Sequence, residues 1–269
     1  MAGLTEVPRV SAGDARAGIP LLRKHGVVVV SGAFDPETID RVRAGIMARH
    51  TEFAEPCSLI DYQNNGEGRF IAPVVVDRAL WDSGVLGSTV LAEVAGGVLG
   101  EDWVVDALGL TMALPGCAAQ KMHRDGTSLY PESPLAAMLP AFALTVMIPL
   151  VDVHEGEGTT AFRLGTNHYD PAREDADAVS TPLARGDLIV WDFETLHAGD
   201  AHGGSSPRPM LYLTLCRPFW TDTGNFGGSA RAKLLVDADV VPHLDRRYAR
   251  AASGRWAHDG LGAEVIAKY

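Results

Sequence analysis

The chain has 269 residues, 46% of them apolar, and a formal net charge of −11. That length accommodates one large β-rich domain or two small ones, and the apolar fraction is enough for a substantial core. The acidic balance excludes the basic face of a nucleic-acid binder, and no apolar run approaches the roughly 20 residues of a membrane span.

Three cysteines, Cys57, Cys117 and Cys216, are widely spaced and form no CxxC pair. They suit a reducing cytoplasm rather than a disulfide framework. The stretch Met1–Glu6 has no basic region leading into an apolar one, so no secretory signal is expected. A soluble, cytoplasmic protein with no membrane and no nucleic-acid partner is the expectation.

In chain order, Val27-Val28-Val29-Val30 is a β-branched run and reads as a buried strand. Asp35-Pro36-Glu37 is a helix start, with a capping carboxylate and proline at the first helical position. Ile39, Val42, Ile46 and Met47 then recur at helical spacing and predict a helix to about Arg49. Residues 51–75 contain Asn64-Asn65-Gly66-Glu67-Gly68 and read as a loop. A second helix is expected over about 84–99, with Val85, Leu86, Val90, Leu91 and Val94 as its apolar stripe.

From Trp103 onward, strand-length apolar runs alternate with turn clusters: Leu108–Leu114, Phe142–Val151, Leu188–Trp191 and Met210–Leu215. Pro115-Gly116, Glu155-Gly156-Glu157-Gly158 and Ala184-Arg185-Gly186-Asp187 separate them. Strands with Gly/Pro punctuation and little helix predict a mainly β sandwich or jelly roll with flanking helices. There is no internal repeat and no linker that would divide the chain. We expect one domain, with a strand–helix region over about 1–102, a jelly-roll core over about 103–220 and an extension over about 221–269. The last fifty residues, rich in Arg and Ala, are expected as helix and loop packed on the outside.

The chemistry concentrates in Gln120-Lys121-Met122-His123-Arg124-Asp125-Gly126. If this stretch is a strand, His123 and Asp125 project from one face and can chelate one cation. A His-x-Asp triplet alone arises often by chance, so the support is positional. His197, 72 residues after Asp125 and beside Gly199, is the best-placed third ligand, with His202 as the spare. Two histidines and one carboxylate with open coordination positions suit a non-haem Fe(II) oxygenase. Arg208 follows His197 by 11 residues and begins the apolar run Pro209–Leu215. A guanidinium there can hold a carboxylate bidentately. The bland alternatives are a surface histidine at a strand end and an exposed arginine after Ser205-Ser206-Pro207. Other motifs fail: no kinase asparagine follows His123-Arg124-Asp125, Gly156-x-Gly158 has no lysine, and there is no Gly-x-Ser-x-Gly elbow.

With these pieces assembled, residues 115–217 resemble the phytanoyl-CoA dioxygenase family of Fe(II)- and 2-oxoglutarate-dependent oxygenases. The matching pieces are Pro115-Gly116, Gln120 ahead of His123-Arg124-Asp125, the run Gly158–His168, Gly186–Trp191, His197 and Arg208. The His-Arg-Asp form is similar to members that tailor natural products. The resemblance is weak over the amino-terminal region and absent over the final fifty residues. It implies a double-stranded β-helix core, with His123, Asp125 and His197 binding Fe(II) and Arg208 holding the distal carboxylate of 2-oxoglutarate. Gln120 and Thr160 are implied as additional cosubstrate contacts. Where the family has Gly-Ser-His this chain has Gly165-Thr166-Asn167-His168, so His168 is expected to be structural; His154 and His202, in Gly-rich loops, are expected to be exposed.

The resemblance further implies that 2-oxoglutarate and O2 are consumed, with release of succinate and CO2, to oxidise a small metabolite or natural-product intermediate. Because Asp125 occupies the place a halide would need, hydroxylation is the default over halogenation. Candidate substrate contacts are Tyr62, Gln63 and Arg69 in the early loop, Thr127 and Tyr130 after the metal segment, and Trp220, with Phe226, after the last strand. The alternatives are a cupin-like enzyme using Zn or Mn for hydrolysis or isomerisation and a non-catalytic barrel. Oligomeric state stays open, a homodimer included.

Overall fold

The computed structural model describes residues 5–54, 63–64, 66–169, 171–225 and 233–252. The elements in order are β1 (Arg9–Ser11), α1 (Gly18–His25), β2 (Val27–Ser31), α2 (Pro36–Arg49), β3 (Gln63–Asn64), β4 (Arg69–Pro73), β5 (Val75–Val76), α3 (Arg78–Asp82), α4 (Thr89–Leu99) and β6 (Val104–Ala113). They continue with β7 (Ala143–Pro149), β8 (Thr160–Phe162), α5 (Pro171–Glu174), β9 (Val179–Thr181), β10 (Leu188–Asp192), β11 (His197–Gly199), β12 (Arg208–Cys216), β13 (Leu235–Val236) and α6 (Ala249–Ala252).

The local chemistry explains most of these boundaries. Asp35 caps α2 by accepting from the Thr38 amide at 3.0 Å, and Ile39, Val42 and Ile46 are the buried stripe. The helix expected over 84–99 divides. Ser88 caps a helix that starts only at Thr89, and the short α3 precedes it, capped by Asp77. Val85 and Leu86 are buried in the turn between them rather than on a helix. The expected loop over 51–75 is also corrected, because β4 pairs with β6 over five residues, from Arg69 opposite Ala113 to Pro73 opposite Gly109.

One sheet has the order β1-β2-β10-β7-β12-β6-β4-β3, and a smaller one has the order β11-β8-β9. Alternation along the strands assigns two faces to the large sheet. Val28, Val30, Leu108, Leu110, Val146, Ile148, Leu211 and Leu213 point to one side, where Leu22, Ile39, Ile46, Leu91 and Val94 of the helices cover them. Val27, Val29, Ile189, Trp191 and Met210 point to the other, packing on Val153, Phe162, Leu164 and Leu183 at the small sheet. The large sheet is therefore covered on both faces, which is why β10 and β12 are apolar and buried almost without interruption. Two facing sheets with helices outside make the expected jelly roll.

The segment after β12 does more than cover the outside. Leu234, Val236, Val240, Tyr248 and Ala251 belong to the main apolar cluster, which also contains Ala15. β13 lies parallel to β5, and the Tyr248 hydroxyl donates to Leu86 O at 3.2 Å. No helix among the described residues is long and apolar enough to cross a membrane.

Candidate metal and cosubstrate site

The inner face of the large sheet carries polar residues near one end of the barrel. Trp191 on β10 stands opposite Thr145 on β7, and Thr145 stands opposite Thr214 on β12. Against this wall the segment before Gly126 runs beside β11. It does so as an isolated bridge rather than the expected strand. The amides of His123 and His197 each donate to the other's carbonyl at 2.9 Å, and Gln120 N donates to Gly199 O at 2.8 Å. Asp125 has left this pairing, its amide donating instead to Phe193 O at 3.1 Å. The chain bends there at Gly126, where a Cβ would come within 2.5 Å of the Phe193 ring.

His123, Asp125 and His197 converge, with one ligand atom from each lying within 4.8 Å of the others. His197 Nε2 is 3.5 Å from Asp125 Oδ1. Each ring's Nδ1 faces a backbone carbonyl, Lys121 O at 2.8 Å for His123 and Thr195 O at 2.9 Å for His197. Donation there fixes the Nδ1–H tautomer and leaves both Nε2 lone pairs for a cation. The second carboxylate oxygen is occupied: Asp125 Oδ2 accepts from Thr145 Oγ1 at 2.5 Å and from Trp191 Nε1 at 2.9 Å. Oδ1 is the oxygen turned toward the imidazoles. Burial raises the carboxyl of Asp125, but the two imidazoles and the Thr145 hydroxyl outweigh it and hold its pKa below the ordinary value. Burial, then the neighbouring His197, lowers His123. For His197 burial works downward, and Asp125 reverses it to a net rise.

Arg208 begins β12 and is buried, as is Arg69 at the start of β4. Both stand opposite Ala113 of β6, one on each side, so their side chains share the inner face. Arg69 donates through Nε to Ala118 O at 3.4 Å and through Nη2 to Asp200 O. Arg208 Nε has no hydrogen-bond partner among the described residues. Burial, then the charge of Arg69, pushes the Arg208 guanidinium down to about 10. Two buried cations on one face, without an acidic side chain paired to Arg208 among the described residues, suit an anion of two or more oxygens. Gln120 Oε1 accepts from Gly199 N at 2.8 Å, and Gly199 leaves room for both groups, since a Cβ there would lie 2.6 Å from Arg69 Nη1. Triad, guanidinia, Gln120 and Thr160 line one cleft of about 820 Å3 including its open mouth, together with Thr111, Met147 and Tyr212.

Other sequence candidates fall elsewhere. Thr127 and Tyr130 are exposed and do not line the cleft. Trp220 lies in an aromatic cluster, 5.1 Å from the rings of Phe142 and of Phe193. Tyr62 and Phe226 lie outside the described residues, and of Gln63 only the backbone pairing with Ile71 is described. Arg69 is in the cleft, but on a strand beside Arg208 rather than in a loop. His168 contacts Arg23 O through Nε2 at 2.7 Å; His202 is buried rather than exposed, its Nε2 contacting Ser206 O at 2.8 Å; neither belongs to the converging group. The reading from sequence overlooked Thr145, Trp191 and Asn225. The first two carried a signal, a hydroxyl and an indole N–H on inward positions of strands otherwise filled by aliphatic residues.

A model of the phytanoyl-CoA dioxygenase (PhyH) family matches residues 22–210. The iron/alpha-ketoglutarate-dependent dioxygenase ausO of Aspergillus calidoustus is 25% identical over 214 residues, covering 72% of this chain and 70% of its own. AviO1 from Streptomyces viridochromogenes Tue57 superposes with a TM-score of 0.61 at 21% identity, over 76% of this chain and 96% of its own. The epimerase SnoN, solved in complex with Fe3+, alpha ketoglutarate and nogalamycin RO, superposes with a TM-score of 0.54 at 17% identity, over 79% and 87%. The chain belongs to the phytanoyl-CoA dioxygenase family of iron- and 2-oxoglutarate-dependent dioxygenases.

Proposed function

We propose that this protein hydroxylates a carbon of a small natural-product-type molecule while converting 2-oxoglutarate to succinate and CO2. Its class is that of a non-haem dioxygenase using iron, 2-oxoglutarate and O2, which replaces the alternative of zinc or manganese hydrolysis. The single observation that carries the assignment of residues is the shared cleft. Three ligand atoms converge at one end of it, and two buried guanidinia await an anion nearby.

In this reading His123 and His197 hold the metal through Nε2 and Asp125 through Oδ1. Thr145 and Trp191 keep the carboxylate from turning. Arg208, seconded by Arg69, grips the distal carboxylate of 2-oxoglutarate, and Gln120 and Thr160 line the space between. Bound iron supplies the activation of O2 coupled to cosubstrate decarboxylation. The chain's own task is to orient the cosubstrate, hold the target carbon and keep water out of the buried end of the cleft. Asp125 fills the third protein position, which supports hydroxylation over halide transfer. SnoN, named for nogalamycin biosynthesis, supports a small-molecule substrate.

The test is a coupled assay. Protein loaded with Fe(II) should form succinate from 2-oxoglutarate in an O2-dependent manner, and the small-molecule substrate should gain one oxygen atom by mass. Turnover without 2-oxoglutarate contradicts the reading, and a product lighter by two hydrogens replaces hydroxylation by desaturation.

A further inference from the structure

The match to the family ends at residue 210, yet a residue well beyond it reaches the metal-binding segment. Asn225 lines the cleft, and its Nδ2 donates to the carbonyl of Asp125 at 2.8 Å. Asp125 sits in a bend with no strand ladder to hold its backbone. Its amide is tied to Phe193 O and its carbonyl to Asn225, so the peptide groups on both sides of this side chain are fixed from distant parts of the chain.

Asn225 is itself held firmly. Asp222 Oδ1 accepts from its amide at 2.9 Å, and Asp222 Oδ2 accepts from its Nδ2 at 2.8 Å. Asp222 N in turn donates to Asp106 Oδ2 at 2.9 Å. Asp106 is a fully buried carboxylate on β6. It also accepts from Thr221 Oγ1 at 2.8 Å, from Lys233 Nζ at 2.9 Å and from Arg250 Nη1. A buried charge satisfied this completely fixes one arrangement of the groups around it. Asp106 therefore anchors the segment that carries Asn225, and two cations from the C-terminal region close the anchor.

We propose that Asn225 is a positioning residue for the metal carboxylate, so that metal affinity depends on a segment beyond the residues that the family model matches. The inference rests on Asp125 being a metal ligand. Groups that orient a ligand typically change metal affinity by about 10- to 100-fold.

Co(II) serves as the probe for Fe(II), titrated into the full chain and followed by its visible absorption. Asn225→Ala should weaken Co(II) binding about tenfold, and Asn225→Gln, which keeps an amide donor, should recover most of that loss. Binding by Asn225→Ala within twofold of wild type overturns the proposal. A second measurement needs no variant. If Asn225 holds Asp125, then bound Co(II) must in return steady Asn225, and hydrogen exchange at the Asp222, Gly224 and Asn225 amides should slow. Unchanged exchange at saturating metal also overturns it. If wild type binds no Co(II), or Asp125→Ala binds as tightly as wild type, the metal-site reading fails and this inference falls with it.

Discussion

Arg208→Met separates what the cleft needs for binding from what the fold needs for stability. Arg208 is only 5% exposed, and burial beside Arg69 moves its pKa from 12.5 to about 10. That difference corresponds to about 3 kcal/mol of disfavour for the charged form in the folded state. The sign follows from proton affinity. The unfolded chain binds this proton more tightly than the folded one, so the penalty is complete below pH 10 and disappears only above it. Methionine fills similar length without charge. Allowing about 1 kcal/mol for imperfect packing, the variant should gain about 2 kcal/mol in the absence of 2-oxoglutarate, which raises Tm by about 4–8 °C.

Binding should change in the opposite sense. Truncating one partner of a buried charge pair costs about 2–5 kcal/mol, and with Arg69 retained the lower half of that range applies. Affinity for 2-oxoglutarate should fall about 30- to 370-fold. Thermal melts with and without the cosubstrate, and anaerobic calorimetric titration, read both quantities. A variant that melts below wild type and binds 2-oxoglutarate equally well would refute the reasoning.

Asp192 is buried, and burial raises its pKa from 3.8 to about 7. Below pH 4 both folded and unfolded chains hold the proton. As pH rises toward 7 the unfolded chain loses it first, so stability falls across that window, by up to about 4 kcal/mol. Asp192→Asn should therefore be more stable than wild type at pH 8 and nearly equal at pH 4 by urea titration; the same gain at both pH values would contradict this. Trp191→Phe removes the donor to Asp125 Oδ2 and should weaken Co(II) binding about tenfold, a change that equal titration curves would disprove. His197→Ala should abolish succinate formation while His202→Ala retains it, and the reverse pattern would reassign the third ligand.

Much of the fold is legible where local pattern and tertiary environment agree. Asp35-Pro36 and the stripe Ile39, Val42, Ile46 announce α2 because cap and packing lie within one helix. β10 and β12 announce themselves because both of their faces are buried. β4 escapes because Asn64-Asn65-Gly66 dominates its neighbourhood, and its pairing with β6 is a long-range event that composition does not record. The triad is readable from residue type and spacing, but for a partly different reason than strand alternation. His123 does pair beside His197, whereas Asp125 reaches the same point from a bend. Arg69 and Asn225 carry no local signal. Their placement depends on which strand lies beside β6 and on where a C-terminal segment returns, and neither is written in nearby residues.

The most direct test of the central claim is anaerobic addition of Fe(II) and then 2-oxoglutarate to the purified chain. A weak visible charge-transfer band should develop with one equivalent of each in wild type and be missing in His123→Ala, Asp125→Ala and His197→Ala. A fully loaded wild-type protein without the band, or a band that survives all three substitutions, would contradict the assignment of these residues.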